Sequence, residues 1–156
     1  MKKGLYILLL CLGLSTVFFA AAGRVHAALG ESVKSVASDM KALSAARGNI
    51  TSHDGYTVQE INSPSVAVRE YISASGVVFG VAWNGLVRPD LTQLLGSYAA
   101  EYRETLRQTP RARGRRSLRI ETNHIVVEEW GHMRNLRGRA YVPDLIPPGV
   151  SVDEIN

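Results

Sequence analysis

Cysteine is almost missing from this 156-residue chain: Cys11 is the only one, and it sits in an apolar run near the start, so residues 28–156 contain none. That removes thiol nucleophiles and disulfide staples from the body of the protein, even in an oxidising compartment that would permit bridges. Stability there has to come from packing, which a domain of roughly 100 to 150 residues supplies through a single core. Recognised catalytic patterns are missing as well. The chain has no Gly-x-Ser-x-Gly elbow, no His-Glu-x-x-His pair and no phosphate-binding loop of the Gly-x-x-x-x-Gly-Lys-Ser/Thr kind. No aromatic residue lies between Leu106 and Trp130, where arginines are densest, which disfavours nucleic acid as a partner because bases would have nothing to stack on.

What is present begins with an export signal. Lys2 and Lys3 form a positive start, Leu5 to Ala22 is an apolar run, and Val25-His26-Ala27 offers the small-residue pattern that precedes cleavage, placing the cut between Ala27 and Ala28. As a helix the run reaches roughly 27 Å, slightly short of a bilayer core of about 30 Å, so an N-terminal inner-membrane anchor is the alternative to cleavage. Lipidation at Cys11 is disfavoured by the bulky Leu10 before it. The reading is therefore a signal peptide, 1–27, and one exported domain, 28–156, periplasmic or secreted. Loss of Lys2, Lys3 and Arg24, with no acid, takes the formal charge from +4 to +1, so overall basicity says little about partners.

Within 28–156 the hydrophobic period changes along the chain. Glu31 to Arg47 has helical spacing, with Gly48-Asn49 as its C-terminal cap. Tyr56 to Ile61, Val66 to Ile72 and Val77 to Trp83 read as strands, the last two joined by Ser73-Ala74-Ser75-Gly76. Val77, Phe79, Val81 and Trp83 are expected on one face, leaving Val78, Gly80 and Ala82 as a small face able to accept a helix. A second amphipathic helix starts at Pro89-Asp90 and carries Leu91, Leu94, Leu95, Tyr98, Tyr102 and Leu106, with Gly96 as its weak point. Leu118 to Thr122 and Ile125 to Trp130 follow as strands, then a Gly-rich loop, a short strand around Ala140 to Val142 and an irregular tail. The predicted class is α+β: an antiparallel sheet of five to six strands with two helices on one face, in the order helix, three strands, helix, two or three strands, after the N-terminal signal helix.

Val81-Ala82-Trp83-Asn84-Gly85, the Pro89 to Gly96 run, Gly131-His132-Met133-Arg134, Gly138 to Pro143 and Pro148-Gly149-Val150 together resemble a family of exported Gram-negative bacterial proteins, domain of unknown function 2844. The resemblance extends over nearly all of 28–156. It implies export and a single domain, and brings no activity, cofactor or catalytic residue with it.

The residues themselves give little chemistry to assign. On one strand His124, Glu128 and His132 would lie roughly 13 Å apart in turn, too far for one metal ion, and His53 could join them only through the fold. Glu128 and Glu129 point to opposite faces and cannot serve one glycosidic bond. No residue is nominated for catalysis, cofactor or metal, and a non-enzymatic binding or envelope-associated module is favoured over an enzyme with no recognisable motif. The sharper feature is arginine: Arg103, Arg107, Arg111, Arg113, Arg115, Arg116 and Arg119 fall within seventeen residues. Of these, Arg111, Arg113, Arg115, Arg116 and Arg119 are the anion-binding candidates, suited to phosphate, carboxylate or sulfate on an envelope component or an acidic protein. The bland reading is a solvated loop. Arg134, Arg137 and Arg139 form a second basic group. Direct membrane contact is expected only through the signal segment.

Overall fold

The computed structural model describes residues 29–32, 46–110 and 116–156. The expected signal peptide, 1–27, with its expected cut at Ala27 and Ala28, lies outside them. Seven strands form one antiparallel sheet: β1 (Ala46–His53), β2 (Tyr56–Asn62), β3 (Val66–Ser73), β4 (Val78–Gly85), β5 (Ser117–Glu121), β6 (Val126–His132) and β7 (Asn135–Tyr141), in the spatial order β1-β2-β3-β4-β7-β6-β5. Two meanders, β1 to β4 and β5 to β7, thus meet where β4 pairs with β7. Between them runs α1 (91–108), made of helical turns Leu91–Leu95, a 3-10 turn Gly96–Tyr98 and a second helical stretch Ala99–Gln108. The carboxylate of Asp90 caps its start by accepting from the Thr92 N–H at 2.8 Å. At Gly96, φ is +51°, and the α-helix gives way to 3-10 at the position where sequence suggested weakness.

This corrects the expected architecture. The sheet has seven strands, not five or six, and one helical run among the described residues rather than two helices on one face. Residues 33–45, the middle of the first expected helix, lie outside the described residues. Its end is a strand: Ala46 and Arg47 open β1, and Gly48-Asn49, read as a helix cap, lies within that strand. Gly48 serves close approach there, since a Cβ would stand 3.0 Å from both the Cβ and the carbonyl oxygen of Glu60 on β2. β1 is an edge strand exposed on both faces from Asn49 to His53, so it carries no alternation to read. β7 is also longer than expected, because Gly138 belongs to the strand and not to a loop.

Each face of the sheet is covered by something different. On the helix side, Val68, Ile72, Val81 and Trp83 pack with Ile120, Val127 and Ala140 beneath Leu91, Leu94, Leu95, Ala99 and Tyr102 of α1. Leu29 joins them fully buried, its N–H donating to the Leu94 carbonyl at 3.0 Å. On the other side, Tyr56, Tyr71, Phe79, Ala82, Val126 and Tyr141 surround Ile155 of the C-terminal segment. The expected faces of β4 are partly exchanged. The register slips between Tyr71 and Ile72, so Val78 joins the helix side and Phe79 the tail side, away from Val81 and Trp83. The small face at Gly80 and Ala82 receives not a helix but Ile155, whose Cδ1 lies 3.0 Å from where a Gly80 Cβ would be.

Trp83→Ala should therefore lower the unfolding free energy by about 3–5 kcal/mol, and Ile155→Ala by about 2–5 kcal/mol, on opposite faces of the same sheet. Denaturant titration checks both. Full stability in Ile155→Ala would show that the terminal segment is a loose cover and not a second core.

Candidate functional site

One interaction across β4 and β7 shapes a pocket at the end of the sheet where the β6–β7 hairpin turns. Trp83 is paired with Gly138, and a Cβ on that glycine would fall 2.2 Å from Trp83 Cζ2. The indole lies where a side chain would otherwise stand. Beside it, Gly131 has φ +119° and no room for a Cβ, which would meet the Asn135 carbonyl oxygen at 2.1 Å. Trp83, Gly131 and Leu136 line one side of a cavity of about 390 Å³. The end of α1 contributes Leu106, with Thr109 and Pro110 after it, and the start of β5 contributes Ser117 and Leu118 behind Arg116. This volume lies in the range of small-molecule sites.

Its charged corner is Arg88 and Glu129. Arg88 Nε stands 2.6 Å from Glu129 Oε1, and Arg88 Nη2 donates to the Tyr102 hydroxyl at 2.7 Å. Glu129 is the more sheltered partner, 18 % exposed against 44 % for the Arg88 side chain. Burial pushes the Glu129 carboxyl above its usual range, and Arg88 only partly offsets this. The same Oε1 accepts no well-directed hydrogen bond despite its burial. The cavity thus joins an apolar floor to a half-exposed guanidinium, with two further guanidinium groups, Arg116 and Arg137, on exposed lining residues. Such a site favours an anionic head on an apolar or planar body.

The opposite face carries a different arrangement. Glu128 is held between Arg119 Nη1 at 2.5 Å and Arg139 Nε at 2.6 Å, and Arg139 Nη1 also donates to the carbonyls of Val152 at 2.8 Å and Ile155 at 3.3 Å. The Arg139 guanidinium stands 5.9 Å from the Trp130 ring and 6.0 Å from Tyr141. Burial alone would raise Glu128, but hydrogen bonds and charge from Arg139 and then Arg119 outweigh it and hold the carboxyl below its usual range.

The arginines singled out from sequence are distributed differently. Arg111, Arg113 and Arg115 lie outside the described residues. Arg116 lines the pocket, whereas Arg119 faces the other side of the sheet, bonded to Glu121 at 3.1 Å as well as Glu128. Arg107 pairs with Glu104 at 3.0 Å, and Arg103 Nε donates to the Ala99 carbonyl. Of the second group, Arg139 belongs to the clasp and Arg137 bonds Asn135 Oδ1. The histidines are dispersed: His53 stacks on Tyr56, His124 pairs with Glu101 at 3.0 Å, and His132 sits at the far end of β6. Among the described residues, no group of three or more His, Cys, Asp or Glu could hold a metal ion. Arg88, Glu129 and Leu136 were missed as site residues. Only strand register brings them beside Trp83, and no local pattern announces it.

The family described as protein of unknown function (DUF2844) matches the chain over residues 25–155. No curated protein and no solved structure matches it.

The shifted carboxylates predict how stability responds to acid. Glu128 is depressed by its arginines, Glu101 by hydrogen bonding to Thr122 and His124, and Glu154 by the Ser151 N–H and Tyr56. Each binds a proton more readily unfolded than folded, so its stabilisation is present above the unfolded value of about 4.3 and is lost as pH falls through the lower folded value. Glu129 acts oppositely, and its charged form becomes destabilising as pH rises past the usual glutamate value. The melting temperature should fall steeply below about pH 4.3. Glu128→Gln should lower it at neutral pH and flatten the acid slope, as thermal melts across pH would show.

Proposed function

The chain belongs to that family, and from this premise we propose that it is an exported binding module whose Trp83 pocket takes a small ligand with an anionic head and an apolar or planar body. The pocket's composition carries the reading. Trp83, Leu106, Leu118, Trp130 and Leu136 offer apolar surface, while Arg88, Arg116 and Arg137 offer charge. Binding is favoured over turnover because the described lining residues include one carboxylate, already engaged by Arg88, and neither histidine nor cysteine, so acid and base roles have no second titratable group. Export rests on Lys2, Lys3, the apolar run and the Val25-His26-Ala27 pattern.

Two measurements test this reading. Intact mass of protein recovered from the periplasm should show residues 1–27 removed; their retention in a membrane pellet would support the anchored alternative. In a Trp130→Phe background, which keeps an aromatic ring at a second position lining the pocket and leaves Trp83 the sole tryptophan, dodecanoate should change its fluorescence saturably and dodecyltrimethylammonium should not. The pair Arg88→Met with Glu129→Gln leaves no buried charge unpaired and should weaken dodecanoate by about tenfold or more, the worth of one charge-assisted hydrogen bond. Equal responses to the two amphiphiles, or equal affinity in the variant, would remove the pocket reading.

A further inference from the structure

The exposed apolar residues are not scattered. Six large hydrophobic side chains among the described residues are exposed, and four of them, Leu86, Val87, Trp130 and Met133, gather at one end of the sheet. The register explains it: Gly85 at the end of β4 pairs with Leu136, and His132 pairs with Asn135, so residues 86–87 emerge beside the β6–β7 hairpin tip. Met133 is 91 % exposed at that tip. A two-residue hairpin connection favours glycine or asparagine, yet the chain places Met133 and Arg134 there. Arg134, with φ +66°, is the only described non-glycine residue in the left-handed region. Turn propensity has been given up for an apolar side chain next to a cation.

The charge at this end has one sign. Residues 130–139 contain three arginines and a histidine but no acid. Arg139 is committed to Glu128, whereas Arg116, Arg134 and Arg137 form no ion pair among the described residues. The nearest carboxylate, Glu129, is sheltered against Arg88. Trp130 lies three residues behind Met133, roughly 10 Å along a strand, which matches the 5–10 Å over which interfacial side chains enter the boundary between headgroups and acyl chains. Tryptophan itself favours that level. A protruding two-residue tip buries too little area for a stable protein interface, which needs roughly 1,200–2,000 Å² in total. Against a bilayer no complementary shape is required. No helix among the described residues is long and apolar enough to cross a membrane.

We infer that the β6–β7 hairpin docks the protein on a bilayer carrying anionic lipids, with Met133 entering the interface, Leu86 and Val87 beside it, and Arg134 and Arg137 on lipid phosphates. This goes beyond the pocket reading, and it sets the pocket mouth, shared through Gly131 and Leu136, against the headgroups.

The test reads the position of the tip, so that the apolar run at 5–22 does not confuse it. In the full chain with Cys11→Ser, an environment-sensitive nitrobenzoxadiazole label is attached at Met133→Cys or, as control, at Ala74→Cys in the loop at the opposite end of β4. Phosphatidylglycerol-containing vesicles should blue-shift the label at 133 and not that at 74, whereas phosphatidylcholine vesicles should shift neither. Adding Arg134→Gln and Arg137→Gln should weaken the response about thirtyfold, near fivefold for each arginine at an anionic surface, and raised salt should weaken it in the intact protein. No shift at 133, equal shifts at 133 and 74, or equal response on the two lipids would overturn the inference, as would capture of the tip by a protein in place of lipid. Dodecanoate titration of Trp83 without vesicles reports the pocket separately, so either idea can fail alone.

Discussion

The absence of one Cβ, at Gly138, is the constraint on which the candidate pocket and the joint between the two meanders depend. Because β7 has nothing above its backbone there, the Trp83 ring of β4 lies across the neighbouring strand, and the joint between the two meanders becomes part of the core. An aromatic over a cross-strand glycine buries a large apolar area while keeping both strands in register. The same ring lies along the edge of the region covered by α1. Where the helix ends and the sheet continues, the indole passes from core to pocket wall. The cavity therefore opens where α1 ends over the sheet, and it shares the Trp83 wall with the core.

The second face is secured electrostatically as much as by packing. Ile155 fills the space over Gly80, but the segment that brings it there has little regular structure, only the short 3-10 turns Pro143–Leu145 and Val152–Glu154. Arg139 compensates by donating to two of its carbonyls while Glu128 fixes the guanidinium from below. Buried charge is costly unless paired, and here two arginines pair it, which is why the Glu128 carboxyl is held below its usual range although burial by itself would raise it. Glu129, the next residue, faces the other way into the pocket with a single off-line arginine partner. Adjacent glutamates on one strand therefore have opposite shifts, set by how many donors each face supplies.

Much of the helix and of the central strands was legible because one face of each is buried and the pattern shows it. Pro89-Asp90, the leucine spacing and Gly96 located α1, and Val66 to Trp83 located two strands and their hairpin. The errors have common causes. β1 is exposed on both faces from Asn49 to His53 and shows no period there, so the sequence pattern assigns Ala46 and Arg47 to the preceding helix. Gly48 and Gly138 were read as punctuation when their role is to admit a neighbour, Glu60 in one case and Trp83 in the other. A glycine that ends an element and one that accommodates a partner look identical in one dimension. The bulge at Phe79 is likewise invisible in the sequence, and it puts that ring on the opposite face. The pocket was least legible of all, since its residues come from four separate segments that only the β4–β7 pairing unites.

Charge distribution makes the final distinction. Residues 28–156 carry a formal charge of only +1, and arginines such as Arg107, Arg119 and Arg139 are matched by nearby glutamates. Matched charges contribute to solubility and to holding the tail, and offer little to a partner in solution because their fields cancel over a few ångströms. The exceptions fall together with the exposed apolar side chains at the hairpin end of the sheet. A chain under selection for solubility alone would place glycine or asparagine at the Met133-Arg134 turn and polar residues at Leu86 and Val87. Keeping a cation that has no ion pair among the described residues in a left-handed backbone conformation beside an almost fully exposed methionine works against both stability and solubility. The feature that offsets those costs is contact with a surface that is itself anionic outside and apolar beneath.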